Sequence, residues 1–299
     1  MKKPVNRLKR SENIWGWAFV APTLVSFLAL TAVPFVISIL LSFVDWSFFS
    51  GIDKLEWVGF ENFVDIWDNA DFVTALDNTF VYVITIVPLS IILSLVFAYC
   101  MNGRIFGKKA LRMMFFIPYI CSVVAVGAVF KFLFREDGIV NNLLLSLNLI
   151  SEPLKWTVKK ELTKIPIILL SVWTSIGYQL ILFTAAMQNV PTSLYEAARI
   201  DGASSFVQFT KITMPMISPT IFYLVIIRTM AVFKIFGSVN IFTMGAPFSS
   251  NSSVVVEIYE AAFTKYEFGP ASAMSMVLFG IILVITAINF WGQKKWVHY

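Results

Sequence analysis

Charge is scarce in this chain. Lys, Arg, Asp and Glu make up 14% of its 299 residues, where a soluble domain carries about a quarter. Histidine is nearly absent. The single one, His298, stands next to the last residue, so no imidazole base, relay or metal-ligand set can be assembled. The two cysteines, Cys100 and Cys121, fall in apolar runs without partner spacing, which indicates neither a disulfide framework nor a metal site. No carboxylate interrupts any long apolar run, although proton- and sodium-coupled carriers usually place ionisable groups there. A phosphate-binding loop is also missing. The nearest approach, Gly103-Arg104-Ile105-Phe106-Gly107-Lys108-Lys109, has three residues between its glycines where four are needed, and no Ser or Thr follows the lysine. These omissions exclude catalysis of ATP hydrolysis by this chain and leave ion coupling without its acids.

What is abundant is hydrophobic sequence, at 58%. Six apolar runs reach the length of about 20 residues that a membrane span needs: 14–43, 79–101, 112–134, 166–190, 214–237 and 271–292. The net charge of +5 does not point to nucleic acid, because the basic residues cluster at the ends of apolar runs, as the positive-inside rule requires. Lys2, Lys3, Arg7, Lys9 and Arg10 precede the first run, and Arg104, Lys108, Lys109 and Arg112 follow the second. The segment 46–78 has only Lys54 against a series of carboxylates and belongs outside. The segment 135–165 is basic yet also external by this order; long segments translocate with less regard to charge. The first run is too long for a signal-peptide core and reads as an uncleaved helix. The expectation is an all-α polytopic membrane protein with six transmembrane helices and both termini cytoplasmic. Residues 1–13 and 293–299 form cytoplasmic ends around a transmembrane domain at 14–292.

Between spans four and five lies a polar, helix-forming island, residues 191–219. Ser193 and Glu196 have capping-box spacing, which predicts a helix from Leu194 to Ile200. Gly202 offers the left-handed conformation that ends a helix. Ser204 or Ser205 then caps a second helix running to Pro215. In order and spacing, Glu196-Ala197-Ala198, Asp201-Gly202-Ala203, Phe209, Ile212, Pro215 and Pro219 resemble the EAA loop of membrane subunits of bacterial ABC importers. Other stretches agree with that family: Gly59-Phe60-Glu61-Asn62-Phe63, Asp77-Asn78-Thr79, Gly138-Ile139-Val140-Asn141, and Thr243-Met244-Gly245-Ala246-Pro247, where Ala246 replaces a Gly. Pro22, Pro34 and Leu41-Ser42-Phe43 resemble the first of the two permeases of carbohydrate importers.

The resemblance implies that Glu196, Ala197, Ala198, Asp201, Gly202 and Ala203 belong to a coupling helix that docks on an ATP-hydrolysing subunit. It implies as partners a second permease, two ATP-binding subunits, an extracellular or periplasmic substrate-binding protein and the lipid bilayer, with no nucleic acid. ATP and Mg would be bound by the partner ATPases, and this chain would carry no cofactor or metal. The location implied is the bacterial cytoplasmic membrane.

Candidate path residues lie on the two spans that flank the island. Trp173, Ser175, Tyr178 and Gln179 on span four, with Thr229 and Phe233 on span five, offer the aromatic faces and hydrogen-bonding groups that sugars require. The same residue types also anchor helices at interfaces and pack them together. Arg228 stands about thirteen residues beyond Pro215, roughly 20 Å at 1.5 Å per residue, past the middle of an apolar core of about 30 Å. A charge at that depth costs a few kcal/mol and requires a partner: an acid of the second permease, backbone carbonyls, a water-filled cavity or an anionic substrate. The competing reading, a free-standing secondary carrier or facilitator, would be favoured by inverted repeats and intramembrane ionisable groups; no inverted repeat is evident, and no carboxylate lies within the apolar runs.

Overall fold

The computed structural model describes residues 7–46, 51, 55–103, 106–243, 250–294 and 296–297. Lys2, Lys3, Lys54, Arg104, His298 and the turn residues Met244 to Pro247 lie outside them. The chain divides into two compact units, Met1–Ile66 with Ala261–Met276, and Trp67–Glu260 with Val277–Tyr299.

In the first unit, α1 (Arg7–Phe27), a π-helical turn (Leu28–Ala32) and α2 (Val33–Leu41) follow one another. Pro34 cannot donate to the carbonyl four residues back, and the ladder widens just before it. A two-residue antiparallel ribbon comes next, β1 (Val44–Asp45) and β2 (Glu56–Trp57), with Val44 opposite Trp57. It is a small departure from an all-α chain. The ribbon is held by the start of α3 (Glu61–Asp68): buried Asn62 donates from Nδ2 to the carbonyls of Ser42 at 3.1 Å and Val44 at 3.0 Å. Phe43 packs on Trp57, Phe60 and Phe63 with centroids 5.2–5.6 Å apart.

The second unit is built on α4 (Ala70–Asn102) and α8 (Lys164–Gln188), which share the main apolar cluster around Tyr82, Ile86, Leu170, Leu180, Phe183 and Leu224. Asn69 caps α4, its Oδ1 accepting from Asp71 N at 3.0 Å and Phe72 N at 3.2 Å. The helix therefore starts nine residues before the apolar run does.

Two expected spans are broken. In place of one helix over 112–134 stand α5 (Lys108–Ile120) and α6 (Val123–Leu133), bent by 99°. Cys121 and Ser122 are extended, with ψ 151° and 127°, and Pro118 removes a donor from the last turn of α5. Apolarity continues through this break, so hydropathy does not register it. After α7 (Ile139–Ser146), α8 and α9 (Thr192–Ile200), the fifth span is also split. Here α10 (Ser205–Gln208), a π turn (Phe209–Thr213) and α11 (Met214–Met216) bend by 65° into α12 (Ser218–Phe233). Pro219 cannot bond the Pro215 carbonyl four residues back, and Ser218 Oγ donates to it instead at 2.7 Å.

Then come α13 (Gly237–Thr243), α14 (Val254–Tyr259) and α15 (Phe268–Gln293), whose first part belongs to the first unit and its remainder to the second. Among the described residues four helical stretches are long and apolar enough to cross a membrane, Glu12–Leu41, Ala70–Asn102, Lys164–Gln188 and Phe268–Gln293, or six if each bent pair counts as one span. The chain is thus a mostly helical, polytopic membrane protein.

Segments between these helices are ordered by buried asparagines. Asn141 donates to the carbonyls of Arg135, Glu136 and Leu154 and accepts from Leu154 N and Trp156 Nε1. Asn78 donates to Ser252 O at 3.0 Å, and the neighbouring Thr79 Oγ1 accepts from Val254 N at 3.1 Å. A buried amide that satisfies several backbone groups orders a loop better than apolar contact alone.

Candidate functional site

The polar island folds as a closed helix-turn-helix. Its first helix begins two residues earlier than capping-box spacing predicts: Pro191 is the last non-helical residue, Thr192 the first helical one, and no side chain caps the end. Ser193 and Glu196 therefore lie inside the helix and form no capping box. The helix opens on the backbone alone: Leu194 N donates to the Pro191 carbonyl at 3.2 Å.

At the other end, Ala203 N donates to Ala198 O at 2.8 Å and Gly202 N to Arg199 O at 3.1 Å. Gly202 has φ +75°. This is a Schellman closure, and the left-handed residue it needs is the glycine. Ser204 Oγ then caps α10 by accepting from Val207 N at 3.4 Å, and Gln208 Nε2 returns to Ala203 O at 2.9 Å. Tyr195 OH and Thr213 Oγ1 join the two arms at 2.9 Å, while Phe209 packs on Tyr99 of α4 with centroids 4.5 Å apart. The inward face is satisfied by these contacts. Outward, Glu196, Ala197, Asp201 and Gly202 are exposed, and so are Ile200 (87%) and Phe206 (74%), two apolar residues that the motif reading did not single out.

A second site lies where α5, α8 and α12 meet. A pocket of about 140 Å³ is lined by Tyr119, Ser175, Tyr178, Gln179, Leu224, Ile227, Arg228 and Ala231. Gly177 makes the approach possible: a Cβ there would run into the Phe115 carbonyl of α5. Because α5 ends one residue past Tyr119, this side chain stands at the break, and its ring stacks on Tyr178 at 5.1 Å and 16°. Gln179 is fixed from behind, accepting from Ser94 Oγ at 2.8 Å and donating to Ser90 Oγ at 3.3 Å. Ser175 Oγ donates to Val172 O at 2.8 Å. Arg228 Nη2 donates to the Ser171 carbonyl at 2.7 Å, whereas its Nε is buried without an acceptor.

Four of the seven residues expected along a path thus share one pocket: Ser175, Tyr178, Gln179 and Arg228. The other three lie outside it. Trp173 packs on Phe130 at 5.5 Å, Phe233 is fully buried edge-on to Phe80 at 5.5 Å, and Thr229 is buried on α12. Tyr119 joins the pocket without having been expected. Pro118 beside it was the available signal of a helix end. A wider pocket of about 350 Å³ lies between α8 and α12, lined among others by Leu182, Ala186, Asn189, Thr220 and Tyr223. The Tyr178 and Tyr223 hydroxyls, 3.4 Å apart, link the two pockets.

Residues 87–296 match the model of the family described as binding-protein-dependent transport system inner membrane component. The chain is 33% identical to the probable ABC transporter permease protein YesP of Bacillus subtilis (strain 168), over 100% of this chain and 96% of that one. It is 34% identical to the lactose transport system permease protein LacF of Rhizobium radiobacter, over 96% and 97%. Its fold is similar to a chain in the crystal structure of a bacterial ABC transporter that imports the acidic polysaccharide alginate, with a TM-score of 0.83 at 23% identity, covering 97% of this chain and 99% of that one.

Proposed function

The chain belongs to the family of binding-protein-dependent transport system inner membrane components, and on that premise we propose that it lines the translocation path of a sugar importer and passes the work of ATP hydrolysis to it. It is an ABC transporter permease of the cytoplasmic membrane. The sugar class is supported by LacF, a lactose permease by its name, over nearly the whole length of both chains.

In this reading the chain crosses the membrane six times with both termini cytoplasmic, each bent helix pair counting as one span, and residues 14–292 form the transmembrane domain. It is a non-catalytic subunit. Two ATP-binding partners hold ATP and Mg, a second permease completes the path, and an external binding protein delivers the sugar. Ser175, Tyr178, Gln179 and Arg228 contact the passing substrate, and Trp173, Thr229 and Phe233 support the helices that carry them.

The observation that carries the coupling role is the Schellman-closed hairpin at 192–208. It is tied inward by Tyr195 and Phe209 while Ile200 and Phe206 have no apolar cover. Exposed apolar side chains on a rigid polar hairpin suit a groove on a soluble partner. Glu196, Ala197, Ala198, Asp201, Gly202 and Ala203 form that docking element.

The test is co-purification with the ATPase subunits, followed by uptake into vesicles. Gly202→Pro cannot adopt φ +75° and removes the N–H that closes onto Arg199. It is expected to abolish ATP-driven uptake while the external binding protein keeps its ligand affinity. Normal uptake by this variant would remove the coupling role.

A further inference from the structure

Among the described residues no carboxylate pairs with the guanidinium of Arg228. The ion pairs at Arg135–Asp137 and Lys155–Glu136 lie elsewhere. The Ser171 carbonyl that accepts from Nη2 supplies a dipole, which does not cancel a charge held in an apolar helix bundle. The other groups on the pocket wall are largely committed: Gln179 to Ser90 and Ser94, Ser175 to Val172 O, and the Tyr178 hydroxyl to Tyr223. The hydroxyls keep lone pairs but no charge, while Arg228, the one charged residue of the pocket lining, still carries three N–H bonds on Nη1 and Nη2 beyond those on Ser171 and Nε. A neutral sugar presents hydroxyls that ask for donors and acceptors alike. A carboxylate asks only for donors, and a planar pair of N–H bonds matches its two oxygens. Tyr119, half exposed beside Tyr178, offers an aromatic face to the C–H side of a sugar ring.

We propose that this pocket selects an acidic saccharide, a uronate unit whose carboxylate pairs with Arg228 while its ring lies on the face of Tyr119. The proposal rests on the reading of the chain as a sugar permease and adds the charge of the sugar and the residue that reads it. Arg228 and Tyr119 are then specificity determinants.

The experiment uses the complete permease–ATPase complex in detergent without the external binding protein, so that this protein does not preselect the ligand. Equilibrium binding of digalacturonate is compared with that of lactose at neutral pH. Digalacturonate is expected to bind at least tenfold more tightly, and its affinity to fall as salt rises from 50 to 500 mM, roughly in proportion to the screening of one ion pair. Arg228→Gln should remove the preference, Arg228→Lys should restore part of it, and Tyr119→Ala should weaken digalacturonate several-fold while keeping the salt dependence.

Equal binding of the two sugars, or an unchanged preference in Arg228→Gln, overturns the proposal. If Arg228→Gln and Arg228→Lys both fail to assemble with the second permease, the counter-charge lies on that subunit, and the proposal falls. ATP-driven uptake of lactose by the complete system, with no digalacturonate bound, refutes the acidic preference and leaves the sugar reading intact. If the complete system moves neither probe and moves a non-carbohydrate instead, both fall together.

Discussion

The hairpin at 192–208 and the Arg228 pocket belong to the same unit, and they are built in opposite ways. The hydrogen bonds that close the hairpin join residues close in sequence, Pro191 to Leu194, Ala198 to Ala203, Ser204 to Val207 and Tyr195 to Thr213, and Phe209 then seats it on Tyr99 of α4. The pocket draws Tyr119 from a helix end, Ser175 to Gln179 from the middle of α8 and Arg228 from α12, with Ser90 and Ser94 on α4 behind them. A structure closed by local hydrogen bonds keeps its shape when its partner is absent. A pocket assembled from four helices keeps its shape only while the helices stay packed. The hairpin therefore suits the transmission of a movement, and the pocket suits a response to it.

The comparison breaks most completely at Gly177. A side chain at this position meets the backbone carbonyl of Phe115, which cannot swing aside as a flexible side chain would. Gly177→Val is expected to separate α5 from α8 at a cost of about 3 kcal/mol or more, at the upper end for overpacking. The purified permease should show a lower thermal midpoint and lose sugar binding, while the hairpin, closed by its own hydrogen bonds, retains affinity for the ATPase subunits. Loss of ATPase binding together with sugar binding would show that the hairpin is not locally built.

The same distinction explains what could be read in advance. The Gly202 turn and the Ser204 cap were visible because each rests on the backbone chemistry of residues a few positions apart, whereas the 65° bend at Ser218 was not expected although Pro215 and Pro219 flank it. The capping box failed for an equally local reason: Ser193 has the right spacing to Glu196, but the helix already begins at Thr192. The 99° break after Ile120 was not legible in hydropathy, because apolar side chains on either side of Cys121 and Ser122 keep it high, and Pro118 was its one local signal. Without the break, Tyr119 read as one more aromatic on a straight span. Chemistry and helix together did not separate Tyr178 from Trp173 either. They stand five positions apart on α8 and point to different neighbours, Tyr119 and Phe130, and which face meets the pocket is decided by helix packing.

A smaller effect is expected at Gly202 when the added group is only a methyl. Nothing lies within 4 Å of a Cβ built there, so the penalty is purely conformational, about 1–2 kcal/mol for a non-glycine residue in the left-handed region. Gly202→Ala should lower ATP-driven uptake several-fold. Gly202→Asn should lower it less, because asparagine tolerates that conformation. Sugar binding to the detergent-purified complex should be unchanged in both. Equal defects in the two variants would mean that the surface at 202, not its backbone, meets the ATPase.

The smallest effect concerns the link between the two pockets. Tyr178 lines the first and Tyr223 the second, and their hydroxyls are 3.4 Å apart, beyond the usual range for a strong hydroxyl pair. The hydrogen bond is therefore worth no more than about 0.5 kcal/mol, at the low end of net values, and the rings rather than the hydroxyls must separate the two spaces. Tyr223→Phe keeps the ring, so stability should be unchanged, sugar binding should shift by about twofold at most, and vesicles without ATP should leak no more sugar than wild type. Tyr223→Ala removes the ring and joins the pockets, and passive leak should rise. If Tyr223→Phe leaks as much as Tyr223→Ala, the weak hydroxyl contact is the barrier, and the pocket wall depends on a hydrogen bond that its length does not explain.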